Sequence, residues 1–128
     1  MANIQTLIAR AYAAFNHRDI DGALALMSED ISWPKASEGG RAVGKAELRA
    51  YWSRQWAEFD PHVEPIEVID RGGGKADVKV HLLVKSLDGV VLSDSELWHI
   101  FTTANGVIKR MDIKESENSA TAPAFSKH

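Results

Sequence analysis

The chain has 128 residues, 45% of them hydrophobic and 26% charged, the composition of one folded domain rather than a disordered segment. Lys plus Arg is 15 and Asp plus Glu is 18, and the net charge of -3 leaves no basic stripe of the kind nucleic acid requires. With no cysteine, disulfides, thiolate nucleophiles and Cys-bound zinc are excluded, and no apolar run approaches the roughly 20 residues of a membrane helix. The first residues lack the basic-then-apolar shape of a signal peptide, so the expectation is a soluble, cytoplasmic domain.

Ile4, Leu7, Ile8, Ala11 and Phe15 recur at helical spacing, Tyr12 flanks the same stripe, and Asn3 can cap the start; a helix is predicted over 3–16. Asp19 can cap a short second helix over 20–27 that buries Leu24 and Met27. A brief strand at 31–33 is stopped by Pro34, and the polar, glycine-rich stretch 37–40 reads as a loop. A third helix over 45–59 gathers Leu48, Tyr51, Trp52, Gln55, Trp56 and Phe59 on one face, and Pro61 stops it. From there the period changes to two, which predicts four strands over 62–70, 75–86, 90–103 and 107–115. Asp88-Gly89 and Asn105-Gly106 are strong hairpin signals, Gly72, Gly73 and Gly74 make a third turn, and such short links predict an antiparallel meander. The folded domain is placed at 1–115 and a flexible tail at 116–128.

Helices followed by a meander mean an α+β fold with the helices on one sheet face. A long-stranded, twisted sheet around helices leaves a hollow. Trp33, Trp52, Trp56, Trp98, Tyr12, Tyr51, Phe15 and Phe59 either line that hollow as a ligand pocket or fill it as core.

Particular strings carry a resemblance. Tyr12-Ala-Ala-Phe-Asn16, Asp19-Ile-Asp-Gly-Ala-Leu-Ala-Leu-Met27 and Asp30-Ile-Ser-Trp33 resemble the opening of SnoaL-like proteins. Gly44-Lys-Ala-Glu-Leu-Arg-Ala-Tyr-Trp52 and the ending from Trp98 to Ile113 extend the likeness over roughly residues 4–115. These proteins belong to the superfamily of nuclear-transport-factor-2-like folds, with ketosteroid isomerases, limonene epoxide hydrolases and scytalone dehydratases. The resemblance implies a cone-shaped curved antiparallel sheet wrapped around three N-terminal helices, an internal pocket for small, apolar, cyclic ligands, and a homodimer paired through the outer sheet face. It does not carry over the known residue sets. Aligned with ketosteroid isomerase, the oxyanion tyrosine falls on Ala11, the general base near Lys35 and the second oxyanion acid near Trp98; the Arg-x-Asp pair of limonene epoxide hydrolase is missing from Lys79-Val-His-Leu-Leu-Val-Lys85.

On the third strand of the meander Asp94, Glu96 and Trp98 share one face, and Ser95, Leu97, His99 and Phe101 the other. The isomerase alignment turns Trp98 inward and takes Glu96 and Asp94 with it, which makes Glu96 a desolvated general acid or base beside Tyr12. His81 and His99 then fall on the outer face. Ligand contacts are expected from Phe15, Trp33, Lys35, Tyr51, Trp52, Trp56, Trp98, Met111 and Ile113. His62 and Glu64 lack a third metal ligand, Gly72 to Gly74 precede a strand and not a helix, and neither a metal nor a cofactor is expected. The expected function is binding of a small apolar molecule in an aromatic-lined pocket, with cofactor-free isomerase, dehydratase or cyclase chemistry on one side and a non-catalytic ligand-binding or dimerisation module on the other.

Overall fold

The computed structural model describes residues 3–36 and 38–115. The tail assigned to 116–128 lies outside the described residues. The order of elements is α1 (Ile4–Asn16), α2 (Ile20–Leu24), β1 (Met27–Pro34), β2 (Arg41–Val43), α3 (Lys45–Glu58), β3 (Phe59–Gly72), β4 (Lys75–Ser86), β5 (Val91–Ala104) and β6 (Val107–Glu115). The three helices cover one face of a curved, unclosed sheet of order β2-β1-β6-β5-β4-β3.

The helix starts follow their caps. Asn3 Oδ1 accepts a hydrogen bond from Thr6 N at 2.8 Å, and Asp19 Oδ1 accepts one from Gly22 N at 2.9 Å. α1 buries Leu7, Ile8, Ala11 and Tyr12 against the sheet, and Asn16 at its end is tied to β3 in both directions, donating to Val63 O at 2.8 Å and accepting from Val63 N at 3.0 Å. α2 stops at Leu24, three residues short of the expected end. The carbonyl of Leu26 is taken by Ile108 N of β6 at 2.9 Å, and Met27 opens β1, which runs parallel to β6.

The sheet has six strands where the patterning predicts one brief strand and a four-stranded meander. The additional strand is β2, three residues long and held by one side chain. Arg41 Nε donates to Ser32 Oγ at 2.7 Å and Nη1 to Asp112 at 3.1 Å, while Nη2 donates to the carbonyls of Ser32 and Met111. Those four bonds fasten the edge of the sheet to β1 and β6. At the far hairpin Gly74 sits at φ +81, and a Cβ there would lie 2.5 Å from Thr103 O, so the close approach of this turn to β5 requires glycine.

Two irregularities govern which way β5 faces. Counting inward from the Leu87-Asp88-Gly89 turn, Lys85 pairs with Val91 but Val84 pairs with Ser93, so Leu92 is an extra residue. Counting from the Asn105-Gly106 turn, Thr103 pairs with Ile108 but Thr102 pairs with Arg110, so Lys109 is extra as well. Each bulge moves the pairing by one residue, and one residue of slip exchanges the two faces of a strand. Val80 therefore stands opposite Leu97, Val78 opposite His99, and Ala76 opposite Phe101, which faces Met111 on the other side. All of these inner side chains are buried. Among the described residues no helix is long and apolar enough to cross a membrane.

Candidate functional site

Between the helices and the inner sheet face lies a cavity of about 140 Å³. α1 supplies Ala11, Tyr12 and Phe15; α3 supplies Tyr51, Trp52 and Gln55; β1 supplies Met27, Trp33 and Pro34. The sheet contributes Pro61, Val63, Leu82, Val84, Leu97, His99, Phe101, Met111 and Ile113. Trp52 organises the aromatic wall, meeting Phe15 and Trp33 edge-on at 5.8 and 5.5 Å between ring centroids and stacking on Trp56 at 5.7 Å. Behind that wall the Arg18 guanidinium lies 5.1 Å from the Trp56 ring and is ion-paired with Asp60.

The polar centre of the cavity is a pair that the sequence did not bring together. Tyr12 OH and His99 Nδ1 lie 2.7 Å apart, with their rings stacked at 5.9 Å and 18°. Phe101 closes one side edge-on, 5.9 Å from Tyr12 and 6.2 Å from His99. Tyr12 is 6% exposed and His99 7%. Burial raises the Tyr12 phenol well above its usual range and pushes His99 down to about 4, so near neutral pH both groups are uncharged.

The expected site residues divide. Tyr12, Phe15, Trp33, Tyr51, Trp52, Met111 and Ile113 line the cavity. Trp56 does not; it backs Trp52 as a second layer. Lys35 does not either, since its ammonium lies 3.8 Å from Glu38, which Arg54 holds through two bonds of 2.8 Å.

The placement of β5 is a correction. Asp94, Glu96 and Trp98 belong to the outer face, and His99, Leu97 and Phe101 to the inner one, because the bulges at Leu92 and Lys109 reverse the facing that the isomerase alignment implies. Trp98 is absent from the cavity wall. Asp94 is exposed and its carboxylate is 2.5 Å from His81 Nε2. Glu96 borders the cavity at its rim, but its side chain is 51% exposed and lies 3.5 Å from Lys79 Nζ, so it is not the desolvated carboxylate expected among tryptophans. His81 does lie on the outer face as expected, whereas His99 does not.

The signal that finds His99 was present in the sequence. Leu97 and Phe101 flank it at period two, and an apolar, His, apolar alternation is better buried than Asp94-x-Glu96. Among the described residues no group of three or more His, Asp or Glu side chains is arranged to hold a metal ion.

Comparison with known proteins agrees with this architecture. Residues 8–111 match the model of the SnoaL-like domain. The chain is 25% identical to TerC crystallised with polyporic acid, with a TM-score of 0.75 and coverage of 91% of this chain and 94% of that one. It is 21% identical to an NTF2-like protein of unknown function from Burkholderia pseudomallei K96243, with a TM-score of 0.79 over 96% and 98% of the two chains. A Mycobacterium tuberculosis protein in complex with estradiol-17β-hemisuccinate is 17% identical, with a TM-score of 0.76 over 89% and 94%. No curated protein matches the sequence.

Proposed function

The chain belongs to the SnoaL-like family, and we propose that its cavity binds a small, largely apolar, ring-containing molecule whose polar group is held at the Tyr12–His99 pair. The observation that carries this is the cavity itself. An apolar hole of about 150 Å³ admits a benzene-sized guest, and this one has similar volume, an aromatic wall and one buried polar pair. Two relatives of the same fold are known with ring compounds bound, polyporic acid and estradiol-17β-hemisuccinate, which supports the same use here.

Binding is favoured over acid/base turnover at this pair. Putting a proton on His99 at pH 7 costs about 4 kcal/mol when its pKa is near 4, so the imidazole serves better as a neutral hydrogen-bond partner than as a proton acceptor. Catalysis by Glu96, now at the rim, is the second reading, and Glu96→Gln is its test: a hundredfold loss of any turnover found would support it.

A panel of small cyclic compounds is expected to change tryptophan fluorescence and raise the melting temperature by mass action. Trp52→Ala should weaken both responses more than Arg49→Ala, whose guanidinium pairs with Asp21 on the exposed side. A panel without effect on either signal would overturn the proposal. The proposal includes pairing of two copies through the outer sheet face, where Leu83, Trp98 and Ile100 are half-buried in the single chain. Light scattering at micromolar concentration should then give twice the mass of one chain, and a strictly single-chain mass would refute it.

A further inference from the structure

The hydrogen bond between Tyr12 and His99 has a direction, and the direction decides what the cavity offers a ligand. Tyr12 OH has no hydrogen-bond partner among the described residues other than His99 Nδ1. His99 likewise uses Nδ1 for that bond and leaves Nε2 without a partner among them. Two arrangements are open to the pair. If the tyrosine donates to Nδ1, the hydroxyl is satisfied, the imidazole proton sits on Nε2, and one group is left over. If Nδ1–H donates to the tyrosine oxygen, the hydroxyl hydrogen and the Nε2 lone pair are both left over. A buried polar group without a partner is costly, so the arrangement with one orphan is preferred to the one with two.

We infer that His99 carries its proton on Nε2 and presents that N–H to the cavity as a hydrogen-bond donor, so that the ligand atom it meets is an uncharged acceptor of the carbonyl type. His99 lines the cavity, and Nε2 is reachable: among the described residues the sealed polar side-chain atoms without partners are Ser28 Oγ, Trp52 Nε1, Trp56 Nε1 and Ser93 Oγ, and Nε2 is not one of them. The charge of the wall narrows the class further. Among the described residues the one charged residue that borders the cavity is Glu96, which faces Lys79, so a ligand carboxylate carried inward would meet no cation among them. A hydrocarbon ring would leave Nε2–H unpaired. An alcohol can accept from Nε2–H but must also find an acceptor for its own hydrogen, for which the wall offers Gln55 and Ser95. A ring ketone satisfies the donor and brings no orphan of its own. This inference rests on the binding role proposed above and names the ligand class for that cavity.

Two measurements on the whole protein separate this inference from that role. The first needs no ligand: with ¹⁵N-labelled histidine at pH 7, the ring signals of His99, identified by their loss in His99→Gln, should show a protonated Nε2 and an unprotonated Nδ1. A protonated Nδ1 with a bare Nε2 overturns the inference. The second compares four probes of one skeleton by thermal shift and titration: 1-tetralone, 1-tetralol, tetralin and tetralin-1-carboxylate. The ketone should bind about tenfold more tightly than tetralin, with the alcohol between them and the carboxylate weakest. Tyr12→Phe frees Nδ1 to take the proton, so it should narrow the preference of ketone over alcohol to within about twofold. Tighter binding of the alcohol or the carboxylate than the ketone overturns the acceptor assignment but keeps the cavity as a binding site. If none of the four binds although Nε2 is protonated, the binding role fails, and the ligand class with it.

Discussion

Two histidines lie on neighbouring strands of this protein and have opposite fates. His81 on β4 points outward, 39% exposed, with the carboxylate of Asp94 against its ring. His99 on β5 points inward, 7% exposed, with a phenol for a partner. The outer face handles polar groups by pairing them within reach of water, Lys79 with Glu96 and the His81 ring with the Asp94 carboxylate. At the inner face Tyr12 and His99 are kept neutral and hydrogen-bonded to each other. Stability should therefore depend steeply on the inner side chains of β5 and weakly on the outer ones.

The largest expected effect is steric. Phe101 is fully buried between Tyr12, His99 and Trp33, and Phe101→Ala should cost roughly 3–5 kcal/mol in urea unfolding. Its outer-face neighbour Ile100 is half-buried, and Ile100→Ala should cost clearly less, about 1–2 kcal/mol. Equal losses would erase the distinction between the faces.

The next effect is a pH dependence with a definite sign. His99 titrates near 4 when folded and near 6.5 when unfolded, so between those values the unfolded chain holds the extra proton. Stability should be complete above about pH 6.5 and fall as the pH drops toward 4, by about 3 kcal/mol from this residue. His99→Gln keeps a hydrogen-bond acceptor for Tyr12 and removes the titration, so the slope in that window should flatten. Parallel curves for parent and variant would show that His99 is not the buried base described here.

Smaller still is Tyr12→Phe, which takes away one buried hydroxyl and should cost about 1–2 kcal/mol. The least effect is expected from Glu96→Gln, where a half-exposed ion pair with Lys79 is lost; chemical denaturation should change by no more than about 0.5 kcal/mol. A loss of several kcal/mol would instead mark Glu96 as a member of the inner network.

The parts of this structure that were legible in the sequence are those with local signatures. Asn3 and Asp19 cap helices because a short side chain with an oxygen can reach the free amides, and Asn105-Gly106 turns because both residues take positive φ. β2 was not legible. Three residues carry no usable period, and Arg41 holds them through partners as distant as Met111 and Asp112. The overrun of α2 into β1 has the same origin, since Ala25, Leu26 and Met27 suit a helix and only the contact with Ile108 decides otherwise. In the site, the apolar positions of α1 and α3 were readable from spacing. The facing of β5 was lost because a bulge needs no special residue; Leu92 and Lys109 look like ordinary strand residues, and their effect appears only in the pairing.

Those two bulges also mean that the chemistry of the cavity is set by pairing register as well as by residue type. They flank β5 on its two sides, and both shift it in the same sense, so the partners β4 and β6 agree on which residues are inner. If the same residues paired straight from the two turns, with no extra residue at Leu92 or Lys109, every intervening side chain of β5 would change sides with no substitution at all. Trp98 and Glu96 would then stand where His99 and Leu97 now do, and a neutral donor would give way to a carboxylate. Two residues outside the cavity wall thus decide which polar group the pocket holds, leaving the helices and their aromatic wall as they are.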